Sequence, residues 1–333
     1  MIKSVALICA LIFGAPHTCF VDNNAPKPLG KMVDLGGHRL HVNCSGKGSP
    51  TVVVENGLGD FSFDWVLVQS RVSAFTRICT YDRSGYAWSD SGPKPRTFAQ
   101  INLELRDALS NLGEGGPFIL VGHSYGGAVM RNFAAIYHEA VVGMVLVDSA
   151  FEGQRVGIGG AKTIRLGESA KGLAIPAARE KMTESDKPAC PIATAPSPQL
   201  LDAMYKVLPP FEQQLQLWAQ SQLAIYDAED SQRQWSEEYF AKWLTVSQKG
   251  ALGSLPLMVL TRDNGGFQNG KSDVRAAQME QERKQGQAKL ALLSINSRQI
   301  RIQSGHNMEL EAPDEVVAAI REVLHAIQQH RKL

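Results

Sequence analysis

Neither sign of charge prevails in this chain: 34 Lys and Arg stand against 33 Asp and Glu over 333 residues, a net charge of +1. A chain so balanced has no electrostatic footprint for nucleic acid and none for a charged surface, so neither is expected as a partner. Cysteine is sparse, five in all, and no His, Cys and Asp fall at metal-ligand spacing, so no metal or organic cofactor is expected. Internal repeats and long low-complexity tracts are missing too. The apolar run from Val5 to Phe13 falls short of the about 20 residues a membrane-spanning helix takes, so no stable membrane span is expected. With Lys3 before it and Gly14, Ala15 and Pro16 after it, the run reads as a signal peptide, cut between Ala15 and Ala25, and the protein is expected to be exported, periplasmic or secreted. The alternative for this stretch is a buried amino-terminal helix or strand. Cys19, Cys44, Cys79 and Cys190 lie beyond the run, and pairing among them would fit export.

What the chain does have is centred on Gly122-His123-Ser124-Tyr125-Gly126-Gly127. The apolar run from Pro117 to Val121 before it reads as a buried strand, and Ala128 to Tyr137 after it as a helix. A strand that turns sharply into a helix lifts the intervening Ser124 hydroxyl above the sheet edge, and the glycines two residues away on either side leave room for that turn. The helix then aims its unpaired first amides at any oxyanion formed there. The alternative is a glycine-rich turn with an incidental serine.

The rest of the chain alternates in type. Residues 32–35 and 38–44 flank a Gly36-Gly37 turn as a hairpin, and Thr51 to Glu55 and Arg77 to Tyr81 read as further strands. Thr97 and Gln100 form a capping box for a helix with Ile101, Leu105 and Leu109 on one face. Val141 to Val147 is another buried strand, ending in Asp148-Ser149. From about residue 151 to 254 strand signal fades, and residues 200–226 and 235–246 look helical. Strands resume at 257–261 and 299–303, around a helix near 274–294, and a closing helix begins at Pro313. This alternation predicts a parallel sheet covered on both faces.

On the elbow hexapeptide, Tyr81-Asp82-Arg83-Ser84-Gly85 and Ser304-Gly305-His306, the chain resembles the α/β-hydrolase superfamily from Met32 to the carboxyl end. The run Leu146-Val147-Asp148-Ser149 is similar to a lidded, esterase-like branch of it. The resemblance implies an eight-stranded, mostly parallel sheet with a helical cap. The chain then divides into a leader (1–25), a first core part (26–150), a cap insertion (151–254) and a second core part (255–333). It also sets the Cys44 strand beside the Cys79 strand, where a disulfide forms if the registers match.

A serine is a weak nucleophile without a base, and His306 after the last strand is the candidate. Its orienting carboxylate is either Asp148 or, at the family's more usual place but about two residues early, Asp263. The oxyanion donors expected are the amides of Tyr125 and Leu58, with Gly59 as the alternative to Leu58. His123 is expected to pack beneath the elbow, and Arg83 and Asp82 to brace the sheet edge. Together these residues predict a serine hydrolase of carboxylic esters working through an acyl-enzyme, on a small-molecule substrate with an apolar portion. The same scaffold also carries amidase, peptidase and acyltransferase chemistry, and a non-catalytic ligand-binding protein is the alternative of a different class. Serine at the elbow argues against the dehalogenase and epoxide hydrolase branches, which carry Asp there.

Overall fold

The computed structural model describes residues 25–157, 163–183, 186, 201–246, 248–263 and 274–333. Residues 1–24 of the leader, Cys19 and Cys190 lie outside them.

Eight strands form one sheet: β1 (Lys31–Asp34), β2 (Arg39–Ser45), β3 (Thr51–Glu55), β4 (Ile78–Tyr81), β5 (Phe118–His123), β6 (Val141–Val147), and, after a small antiparallel hairpin of β7 (Arg155–Gly157) and β8 (Thr163–Arg165), β9 (Leu257–Arg262) and β10 (Ser297–Ile302). Their order is β1-β2-β4-β3-β5-β6-β9-β10; β2 runs antiparallel to both its neighbours, and every pairing from β4 to β10 is parallel. The order reverses between β3 and β5, so the loops at their carboxyl ends diverge and leave a crevice there.

The central strands are apolar throughout because both faces are covered. Val53, Leu120, Met144 and Leu146 point into a core with α2 (Phe98–Asn111), α3 (Tyr125–Ile136) and α6 (Val274–Ala291), through Leu105, Phe133 and Leu290. Their neighbours Val52, Val54, Val121 and Val145 point the other way, onto Val68 of α1 (Val66–Val72) and Val316, Ile320 and Val323 of α8 (Pro313–Gln328). Successive side chains thus feed opposite layers, as a pleated strand requires. In the antiparallel β2–β4 pair Cys44 stands opposite Cys79, and their sulfurs are bonded.

Between β6 and β9 the chain forms α4 (Pro210–Gln220) and α5 (Leu223–Leu244). The single helix expected over 200–226 is instead a 3-10 turn at Ala203–Val207 followed by α4. Pro209 and Pro210 break the run, because proline has no amide hydrogen to continue a helix and is welcome in its first turn. The expected helix at 235–246 begins earlier, at Leu223. The β7–β8 hairpin has strands too short for periodicity to show. Leu215 and Ala219 of α4 and Ile225 and Ala228 of α5 pack on Phe61, Phe63, Tyr86 and Trp88 from the loops after β3 and β4, while Tyr239 and Phe240 pack on Phe98 and Tyr125. Both helices therefore lie over the carboxyl edge of the sheet.

Candidate active site

Ser124 links β5 to α3 with φ 51°, a left-handed backbone that costs a non-glycine residue of order 1–3 kcal/mol. Its surroundings enforce the turn. The Ser124 amide donates to the Val147 carbonyl at 3.1 Å, and the Ser124 carbonyl accepts from the Ala150 amide at 2.8 Å. A Cβ on Gly122 would stand 2.6 Å from the Gly127 Cα, and one on Gly126 would stand 2.4 Å from the Glu55 carbonyl oxygen. The nucleophile expected from sequence is thus pinned to the ends of β3 and β6.

His306 follows β10 and meets Ser124 across the sheet edge: Nε2 lies 3.0 Å from Ser124 Oγ, and Nδ1 lies 2.7 Å from Asp148 Oδ2. Asp148, immediately after β6, also has a positive φ, 37°, and its amide donates to the Leu260 carbonyl at 2.9 Å. The imidazole keeps 38% of its side-chain surface exposed and so faces incoming molecules, whereas the Asp148 carboxylate is buried at 3%. Two guanidiniums hold that carboxylate: Arg262 at 3.2 Å on Oδ2 and Arg283 of α6 at 3.2 Å on Oδ1. Burial opposes ionisation of Asp148, but the His306 hydrogen bond and the surrounding cations outweigh it and hold its pKa below the carboxylate range. Burial lowers the His306 pKa, Asp148 pulls it up, and the charges of His123 and Arg262 push it down; the net displacement is downward. The second expected acid, Asp263, is exposed one residue past β9, while Arg262 beside it turns inward to Asp148.

The model of the alpha/beta hydrolase family matches residues 52–319, which include all three of these side chains. The chain belongs to that family. The chain is 36% identical to a probable transporter efuK of Hormonema carpetanum over 129 residues, 36% of this chain and 18% of that one. An uncharacterized vacuolar membrane protein of Saccharomyces cerevisiae is 33% identical over 133 residues, 34% of this chain and 21% of that one. The chain therefore spans about a fifth of the length of these two relatives. Among solved structures, a serine hydrolase involved in carbazole degradation shares the fold at 16% identity and a TM-score of 0.60, covering 89% of this chain and 98% of that one. The expectation of an exported protein is corrected by these relatives, whose names refer to a vacuolar membrane and to a transporter, and residues 1–24 of the leader on which it rested lie outside the described residues. Among the described residues no helix is long and apolar enough to cross a membrane.

The loop after β3 carries Leu58, and its support comes from Arg83. That buried side chain pairs with Glu55 at 2.6 Å and donates to the carbonyls of Asn56 at 2.8 Å and Gly57 at 2.6 Å. A trans peptide points its amide hydrogen opposite its carbonyl, so fixing the Gly57 oxygen on Arg83 turns the Leu58 amide away from the arginine. Gly126 packs against the Glu55 and Asn56 carbonyls, which seats this loop against the head of α3, where Tyr125 stands. Asp82 accepts from the Ser62 amide at 2.8 Å and contacts His41 Nδ1 at 2.7 Å, so it ties strand to loop.

His123 is buried beneath the elbow, but among charged groups. Its Nδ1 lies 3.1 Å from Asp60 and 3.7 Å from Glu309, and its Nε2 lies 3.0 Å from the His306 carbonyl oxygen. Asp60, His123 and Glu309 bring three ligand-capable atoms within 4.8 Å of one another, as do Cys44, Cys79 and Glu114, whose sulfurs are taken up by their own bond. Sequence reasoning missed Arg262, Arg283 and the Asp60–His123 contact. The position of Arg262 at the end of β9, where the family usually supplies an acid nearby, was the one signal available.

Proposed function

We propose that the chain is a serine hydrolase of carboxylic esters, with Ser124 as nucleophile, His306 as general base and acid, and Asp148 as the carboxylate that orients the base. The observation that carries this reading is the unbroken line of contacts from Asp148 through both His306 nitrogens to Ser124 Oγ. His306 Nε2 takes the hydroxyl proton as Oγ attacks the ester carbonyl, and the imidazolium that results is held by Asp148 through Nδ1–H. The tetrahedral oxyanion is received by the amides of Tyr125 and Leu58. Its collapse returns the proton to the departing alcohol, and water activated by the same imidazole then releases the acid.

Residues 151–254 act as the cap in this reading. The 3-10 turn at Ala203–Val207 meets the residue after the base, for Asn307 Nδ2 lies 2.9 Å from the Met204 sulfur. Met204 and Val207 on this turn and Phe211 at the start of α4 are exposed and apolar, which supports an apolar acyl or alcohol portion in the substrate. Hydrolysis of p-nitrophenyl esters with acyl chains from two to twelve carbons tests the proposal, together with labelling by a fluorophosphonate. Ser124→Ala and His306→Ala are expected to lower kcat by about 10⁴-fold or more, and Ser124→Ala to abolish labelling. Equal rates in wild type and Ser124→Ala on every ester, with no labelling of either, would reject an ester-cleaving serine enzyme. Amide substrates and ligand binding would then be examined.

A further inference from the structure

His123 carries a contact set that packing alone does not explain. A carbonyl oxygen only accepts hydrogen bonds, so the 3.0 Å approach of Nε2 to the His306 carbonyl requires a proton on Nε2. An ionised carboxylate also only accepts, so with Asp60 ionised the 3.1 Å contact of Nδ1 takes a second proton there. A ring that donates from both nitrogens is a cation, and it sits with its centroid 4.6 Å from that of His306.

We propose that the Asp60–His123 pair is a positioning device for the base: it anchors the His306 backbone to the loop after β3 and sets a fixed positive charge beside the His306 ring. This rests on the serine hydrolase reading, and it assigns work to two residues outside the three that move protons.

The pair joins three otherwise separate segments. Asp60 belongs to the loop that carries Leu58, His123 is the last residue of β5, and the carbonyl that accepts from it belongs to His306 after β10. A shift of the base away from Ser124 must therefore break a buried, charge-assisted arrangement. The groups facing the His123 ring are Asp60, Glu309 of α7 (Met308–Glu311), His306 and, farther off, Asp148. Burial would strip its proton, but the charge of Glu309 and the hydrogen bond with Asp60 outweigh burial and raise its pKa to about 9. Glu309 and Asp64, both buried, are pushed upward by burial and by the carboxylates around them. Glu309, raised to about 7, is only partly charged at neutral pH, so the second proton on His123 rests chiefly on its contact with Asp60.

The charge acts on the base with a definite sign. A neighbouring cation disfavours a second positive charge, so His123 lowers the pKa of His306 and keeps Nε2 free to accept the Ser124 proton at lower pH. Removing the charge moves the His306 ionisation up. The carbonyl anchor acts differently, on the distance to Oγ, and its loss appears in kcat rather than in KM.

The experiment combines histidine ¹⁵N NMR with kinetics on the full chain. In wild type, both His123 nitrogens are expected to be protonated at pH 7, with titration near pH 9. His123→Gln keeps an N–H for the His306 carbonyl but carries no charge. It should raise the NMR-measured His306 pKa, and the acid limb of kcat/KM with it, by about 0.5–1 unit. His123→Leu removes that N–H as well as the charge, and it should also lower kcat by about tenfold with KM within about twofold. Asp60→Asn should move both quantities in the same direction, and it serves if His123→Gln does not fold. A neutral His123 at pH 7, or a His306 pKa unmoved in a folded variant, would overturn the proposal. The NMR readout needs no turnover, so it stands even if wild type neither cleaves esters nor reacts with fluorophosphonate, the result that would sink the serine hydrolase reading instead.

Discussion

At the scale of single residues, the two aspartates expected to compete for the acid's place lie in opposite surroundings. Asp148 is buried and meets His306, Arg262 and Arg283; Asp263 is exposed. Asp148→Asn replaces an acceptor by a group that presents an amide to Nδ1, so the imidazole is held in the wrong tautomer, and kcat should fall by about 10³–10⁴-fold. Asp263→Asn should stay within about twofold, as exposed substitutions away from such features do. Comparable losses in both variants, measured on one ester at saturating concentration, would contradict this assignment. The family resemblance narrowed the acid to these two, because both follow strands after which the superfamily carries one. It left the choice open because direction was missing: a residue at a strand end points inward or outward according to register and loop conformation, and the positive φ of Asp148 is a property of the fold. Arg262 offered only its place at the end of β9, since an arginine closing a strand usually reads as a solvated end.

At the scale of elements, the strand-to-helix turn was legible because its requirements are steric and local. Gly126 illustrates how far they extend: an added Cβ would lie 2.4 Å from the Glu55 oxygen and 2.5 Å from the Asn56 oxygen, both backbone atoms that cannot rotate aside. Gly126→Ala must therefore push the loop bearing Leu58 away from the head of α3. If these two segments supply the oxyanion donors, kcat should drop by about 10²–10³-fold, the range for losing one donor, while a folded protein is retained. Full activity in a folded Gly126→Ala protein would remove Leu58 from the reaction. The helices between β6 and β9 were less legible. Their apolar residues face the loops over the sheet through patches such as Leu215 with Phe63, rather than along one continuous stripe, so helical periodicity was present but its breaks were hidden. The pairing of Cys44 with Cys79 depended on strand order and register, and it follows from the direct opposition of the two residues in the antiparallel pair.

At the scale of the whole molecule, the two-sided sheet was readable from runs of apolar residues too long to face water on either side, yet the buried charges that stitch its edge to the surrounding elements were not. Glu104 of α2 is the clearest case. Its carboxylate takes a two-pronged contact from Arg96 at 2.5 and 2.6 Å, a hydroxyl from Ser84 at 2.8 Å and an amide from Gln100 at 3.0 Å. Burial disfavours its charge, but Arg96 prevails and depresses its pKa from 4.5 to about 2. Because the folded value lies below the unfolded one, the ionised form favours the folded chain. That contribution is complete above pH 4.5 and is lost as pH falls toward 2. It amounts to about 3 kcal/mol. Glu104→Gln should therefore be markedly less stable than wild type in urea at pH 7, through loss of this contribution and of the partner that Arg96 needs. The gap should narrow as pH falls toward 2, where the wild-type carboxylate is itself being neutralised. A gap of equal size at both ends of that range would mean that Glu104 acts through its shape and hydrogen bonds, and that its charge does not set the acid limit of the fold.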